Sequence, residues 1–167
     1  NIKEIFIPPS VKKICDYAFN YCRYLEKVII PPSVTKICKN AFGFCNLLKE
    51  VIIPTDSNLQ IIEDDAFANT IIEEIYFPKS LIELQHRWCV NLKKLTKIVI
   101  SPLNNQFIFK DDKYLLGKSN INNDKFDVFL FIRRDIEEIS LPSNIKIIES
   151  YSFSNSKKFL FHQVLQK

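Results

Sequence analysis

At 167 residues, with 47% hydrophobic residues and a net charge of +4, the chain suits one compact domain or a stretch of repeats and is too apolar to be disordered. Only two glycines occur, Gly43 and Gly117, which excludes the glycine-rich loops that cradle phosphates. Lys and Glu alternate instead of clustering, which argues for solvated charge and against a nucleic-acid-binding face, and no apolar run approaches the roughly 18 residues of a membrane-spanning helix.

The first residues, Asn1-Ile2-Lys3-Glu4, lack an initiator Met and the basic start and apolar stretch of a signal peptide. The expectation is an excised segment of a longer array, with any targeting signal outside it. From Ile5 onward the chain repeats itself. Ile5-Phe-Ile-Pro-Pro-Ser-Val11 matches Val28-Ile-Ile-Pro-Pro-Ser-Val34 at an offset of 23. At the same offset Ile14-Cys15, Ala18-Phe19, Cys22 and Leu25 fall on Ile37-Cys38, Ala41-Phe42, Cys45 and Leu48. A third copy runs from Val51 through Pro54, Leu59, Ile62, Ala66-Phe67 and Thr70, with a small insertion near Asp56-Ser57. A fourth runs from Ile75 through Pro78, Leu81, Leu84 and Leu95, with Trp88-Cys89 in place of Ala-Phe. A fifth opens at Ile98 and then departs. The pattern resumes at Ile139, with Leu141-Pro142, Ile145, Ile148, Ser152-Phe153, Ser156 and Phe159, and is left again from Lys158.

The units expected are therefore 5–27, 28–50, 51–74, 75–97, 98–138 and 139–161, in one domain spanning 1–167. Each carries apolar-x-x-apolar-x-apolar, as in Leu25/Val28/Ile30 and Leu48/Val51/Ile53, which predicts a short β-strand. Pro8, Pro31, Pro54, Pro78 and Pro142 end those strands, since proline has no N–H to give a ladder. The segment after each proline is too short for a full helix and is read as a turn plus one short helical or 3₁₀ turn on the outer side. One unit cannot bury its own apolar face, so neighbours stack into a right-handed solenoid with a parallel sheet on one side. Trp88 in a slot otherwise held by Ala predicts a bulge on the convex side around Gln85–Asn91.

The recurrent I-P-x-S-V-x-x-I-x-x-x-A-F-x-x-C-x-x-L, nearly complete from Ile7 to Leu25 and from Ile30 to Leu48, resembles the BspA-like leucine-rich-repeat family. About 155 of the 167 residues carry the likeness. Where that family usually has Gly after the second Ile, this chain has Cys15, Cys38, Glu63, Gln85 and Glu149. The fifth unit resembles a family variant, with Asn104-Asn-Gln-Phe107, Asp111-Asp112 and Tyr114-Leu-Leu116. It predicts a β-hairpin near Lys113–Leu116 and Asp127–Ile132, closed by a loop over 117–125. The resemblance implies a surface or secreted antigen that binds host proteins in adhesion. The alternative localisation is cytoplasmic, with the repeat acting as an intracellular scaffold. A more distant alternative is a carbohydrate-binding module with Phe6 and Tyr76 as stacking platforms.

Candidate chemistry is thin. His86 and His162 lie in different repeats, and no nucleophile–base arrangement or G-x-S-x-G elbow is present. His86-Arg87-Trp88-Cys89 supplies one His-x-x-Cys, two ligands short of a structural zinc site, and no CxxC occurs. We therefore assign no catalytic residue, no cofactor and no metal, and expect a protein that is not an enzyme. Cys22 and Cys45 share a column with Thr70 and Ser156, small groups able to hydrogen-bond turn backbone from inside the coil. Stacked Cys15/Cys38 or Cys22/Cys45 would lie about 5 Å apart, within disulfide reach, while the odd count favours reduced, buried thiols.

Strand alternation turns two columns outward. One reads Glu4, Lys27, Glu50, Glu74, Lys97 and later Glu138, with opposite charges facing at three of the four contacts up to Lys97. The other reads Phe6, Ile29, Ile52, Tyr76, Val99 and later Ser140. This apolar stripe, flanked by the charged column, is the candidate site for a protein partner, and the family resemblance implies an extracellular or host one. The competing explanation is β-propensity alone.

Overall fold

The computed structural model describes residues 2–154 and 160–161. Asn1, Ser156, Phe159 and His162 lie outside the described residues. One row of strands comprises β1 (Glu4–Phe6), β3 (Lys27–Ile29), β5 (Glu50–Ile52), β7 (Glu74–Phe77), β9 (Lys97–Ile100), β13 (Glu138–Ile139) and β15 (Leu160–Phe161). These pair in parallel as β1-β3-β5, β7-β9 and β13-β15. A second row comprises β2 (Lys13–Ile14), β4 (Lys36–Ile37), β6 (Ile61–Ile62) and β8 (Glu83–Leu84), which form one continuous parallel sheet. The coils lock residue on equivalent residue: Lys27 pairs with Glu50, and Ile37 with Ile62.

The register builds the core as columns. Leu25, Leu48, Ile72 and Leu95 form one; Val28, Val51, Ile75 and Ile98 another; both are buried throughout. Phe19, Phe42 and Phe67 stack with ring centroids 5.2 and 5.5 Å apart and near-parallel planes. Each proline closes a turn with the residue three on, as in Val34 N–H to Pro31 O at 3.1 Å. The serine that follows ties adjacent coils, since Ser33 Oγ donates to Val11 O at 2.6 Å.

The expected helical or 3₁₀ turns are corrected by the structure: no helix is present among the described residues. Short two-residue strands and a staircase of β-turns occupy that side. Left-handed residues recur at four-residue spacing (Tyr17/Tyr21, Asn40/Phe44, Asp65/Asn69), each with φ between 52° and 60°. Such residues cannot continue a right-handed helix. The backbone instead alternates its bonding. Ala18, Asn20 and Cys22 donate N–H within the coil to Cys15, Tyr17 and Phe19, while Tyr17, Phe19 and Tyr21 donate to Lys39, Ala41 and Gly43 of the next coil at 2.8–3.0 Å. A non-glycine residue at positive φ costs about 1 kcal/mol, and the N–H groups it aims at the neighbouring coil offset that.

Trp88 disturbs this staircase where the sequence predicts it. Arg87, the equivalent of Tyr17, Asn40 and Asp65, is not left-handed. The inter-coil bond slips by one residue to Asp65 N–H with Arg87 O, at 3.4 Å. The indole is 1% exposed and packs against Phe77 and Phe131, with centroids 5.7 and 5.8 Å away.

The predicted hairpin is present and is larger than expected. β10 (Phe107–Lys110), β11 (Tyr114–Gly117) and β12 (Val128–Ile132) form an antiparallel meander, and β12 then pairs in parallel with β14 (Ile147–Ile148). Its first strand, β10, is additional to the two strands expected of the hairpin. The meander leaves the turn side of coil four against coil six: Cys89 Sγ donates to Tyr151 O, Arg87 Nη1 to Tyr151 Oη at 2.7 Å, and His86 Nδ1 bonds Glu149. Arg134 is buried in this junction, donating to Ser152 O and Cys89 O with the Phe131 ring beneath its guanidinium.

Two predictions follow from this packing. Phe42→Ala removes the middle ring of the stack and should lower unfolding free energy by about 3–5 kcal/mol in urea denaturation, whereas a loss below about 1 kcal/mol would mean the column does not support the coils. The Glu149 carboxylate, by hydrogen bond and charge, raises the His86 pKa above its ordinary 6.5. A raised folded-state pKa gives stability that is complete below the unfolded value and lost as pH rises through the folded one. Proton NMR should place the His86 midpoint above 6.5, and His86→Gln should lower the urea midpoint at pH 5.5 but not at pH 9. Because His86 is exposed, the effect is small and weakens with salt.

Candidate partner-binding face

The predicted surface columns exist as registered neighbours. Phe6, Ile29 and Ile52 are paired positions on β1, β3 and β5, and Tyr76 and Val99 on β7 and β9. Phe6 is 79% exposed, and Ile29 and Ile52 are 39% each, while Tyr76 and Val99 are half-buried. Phe6 lies on the end strand, with β3 on one side only, and the apolar area of the paired positions is smaller at Tyr76 and Val99.

In the charged column two of the three expected contacts close. Lys27 reaches Glu50 at 3.6 Å and Lys97 reaches Glu74 at 2.9 Å. Lys27 turns toward Glu50 rather than Glu4. A neighbouring column adds Lys3 with Glu26 at 2.9 Å, and the ammonium beside it holds the Glu26 carboxyl below its usual range. These pairs are exposed, so each contributes little stability; their use is to fix charge positions along the stripe.

The stripe is not continuous. β5 and β7 belong to separate sheets, at the point where the third repeat spaces its strands by 24 residues, Glu50 to Glu74, and its neighbours by 23. A cleft of about 380 Å³ opens at this seam, with Ile52 and Tyr76 on either side and Glu50, Glu73, Glu74 and Lys49 around it. Sequence reasoning missed Lys49 and Glu73 as parts of this face. The extra residue in the third repeat was the signal that could have found them.

The columns inside the coils behave as small hydrogen-bonding positions. Cys45 Sγ donates to Phe19 O at 3.1 Å and Thr70 Oγ1 to Phe67 O at 2.8 Å. All five cysteines are free thiols, and Cys38, Cys45 and Cys89 are buried. Burial pushes the Cys45 thiol up to about 12 and that of Cys89 to about 11, far from the range of an activated nucleophile. His86 bonds the Glu149 carboxylate on the turn side. No helix of the described residues is long and apolar enough to cross a membrane.

Comparison with known proteins agrees with this geometry. The BspA type leucine rich repeat region matches the chain in six copies, over residues 1–115 and 124–163. No curated protein matches the chain significantly. The solved structure of the pneumococcal vaccine antigen PcpA is 25% identical with a TM-score of 0.80, over 93% of this chain and 38% of that one. A leucine rich cell surface protein from Faecalibacterium prausnitzii shares the fold at 22% identity and TM-score 0.74, over 95% of this chain and 47% of that one. A leucine-rich repeat protein from Bacteroides capillosus is 28% identical with a TM-score of 0.51, over 60% of this chain and 78% of that one. The chain thus spans less than half the length of the first two. With its repeats matched in six copies across most of its length, the chain belongs to the BspA-type leucine-rich repeat family.

Proposed function

We propose that the chain is a non-enzymatic protein-binding repeat module of a surface antigen, and that it docks an extracellular or host protein during adhesion. The observation that carries this reading is the solvent-facing stripe of Phe6, Ile29 and Ile52, extended by Tyr76 and Val99 and bordered by Lys27, Glu50, Glu74 and Lys97. Apolar anchors supply most of the free energy of association once covered, and the charges beside them select orientation. The strand backbones hold these side chains in fixed register, so little order is lost on binding. The family, and the chain's likeness to the cell surface protein of Faecalibacterium prausnitzii, support an extracellular setting.

One observation favours a second reading, an intracellular scaffold: all five thiols are free, and a reducing compartment keeps them so. Antibody labelling of intact, unpermeabilised source cells separates the two, with surface signal supporting the antigen and signal only after permeabilisation supporting the scaffold.

For the binding face itself, the variant with Phe6, Ile29, Ile52 and Tyr76 all changed to Ser should bind extracellular-matrix protein at least about tenfold more weakly, or about 1.4 kcal/mol. Its circular dichroism should match the parent's. A folded variant that binds as the parent does would remove the strand face from the reading.

A further inference from the structure

A thiol and two carboxylates from three successive coils meet just beyond the ends of β2, β4 and β6. Donor atoms of Asp16, Cys38 and Glu63 all lie within 4.8 Å of one another. The three residues are separated by about one repeat each in sequence, so no short motif announces them. Each comes from its own strand end, and the coil register alone brings them together. We propose that Asp16, Cys38 and Glu63 form a binding site for a thiophilic divalent cation of the zinc type, independent of the partner-binding face.

The ligand chemistry suits such an ion. Thiolate and carboxylate ligands bind zinc at about 2.0–2.3 Å, which places ligand atoms of a tetrahedral site roughly 3.3–3.8 Å apart. Side-chain rotation closes the remaining gap, with water in the fourth position. The backbone beneath is fixed: Cys38 N–H donates to Ile14 O and Glu63 N–H to Ile37 O, both at 2.9 Å, and Glu63 Oε2 accepts the Lys39 N–H at 3.0 Å. That second contact orients the carboxylate as metal sites require.

Cys38 supplies the independent observation. Its side chain is fully buried, yet its sulfur lies against two carboxylates. The equally buried Cys45 thiol, by contrast, donates to Phe19 O. Once Cys38 gives up its proton the three donors carry like charge, and a dication between them offsets that repulsion. Lys36, paired with Glu63, and Lys13 supply the counter-charge. On binding, the Cys38 thiol releases its proton to solvent, the thiolate and the carboxylates take the cation, and the Lys36 ammonium swings away from Glu63.

Titration of the reduced, untagged protein with Co²⁺ tests this. The expected result is a thiolate-to-cobalt absorption band that saturates at one ion per chain and is displaced by Zn²⁺. It should vanish in Cys38→Ala and persist in Cys45→Ala. Should Cys38→Ala fail to fold by circular dichroism, the double variant Asp16→Asn/Glu63→Gln keeps the thiol and serves in its place, with affinity expected to fall at least about tenfold. Absence of the band, its survival in folded Cys38→Ala, or unchanged affinity in the double variant overturns the proposal.

Discussion

Everything in this molecule depends on each coil lying in residue-for-residue register on the next. The N–H groups of Tyr17, Phe19 and Tyr21 point along the stack, away from their own coil, and are satisfied only by Lys39, Ala41 and Gly43. Phe42 is buried only because Phe19 and Phe67 lie on its two faces. A buried backbone donor without a partner is costly, so a slip by one residue would strand a whole row of them and turn the apolar columns outward. The register is therefore held by hydrogen bonds and burial together, in coils whose stacked strands are only two to four residues long.

The same register writes the surface. A residue type repeated at one position becomes a line of like groups down the solenoid, which is how Phe6, Ile29 and Ile52 form a stripe and how Lys27 meets Glu50. Local departures then become features. Where the third repeat carries one extra residue, β5 and β7 part into separate sheets and a cleft opens beside Tyr76. Trp88 shifts the staircase by one residue, and the meander lets coil four meet coil six through Arg87, His86 and Cys89. The convergence of Asp16, Cys38 and Glu63 has the same origin, since stacking turns a spacing of one repeat into a contact.

Much of the fold was legible because the repeat states its own periodicity. The strand positions, the proline stops and the outward columns follow from identities at one offset and strand alternation, while the hairpin of Tyr114–Gly117 with Val128–Ile132 follows from the fifth unit's resemblance to a family variant. The turn side was misread, since Ala18-Phe19 and its equivalents have helix-compatible side chains, and a left-handed Tyr17, Tyr21 or Phe44 leaves no mark in composition. Asn40, Asp65, Asn69 and Asn91 are of residue types known to tolerate that conformation, and comparing columns across repeats would have exposed them. The break in the stripe was hidden too, because an extra residue in the sequence does not say which of the two sheets will open. The tight second row stayed intact through β6 and β8, and the first row gave way.

The account stands or falls on whether partners are taken by the strand face. A photo-crosslinking amino acid placed at Ile52, on that face, and separately at Leu47, exposed beyond the turns, measures this directly when each protein is incubated with extracellular protein and irradiated. The account predicts crosslinked product from position 52 and background from position 47. Equal yields, or product from position 47 alone, would contradict it.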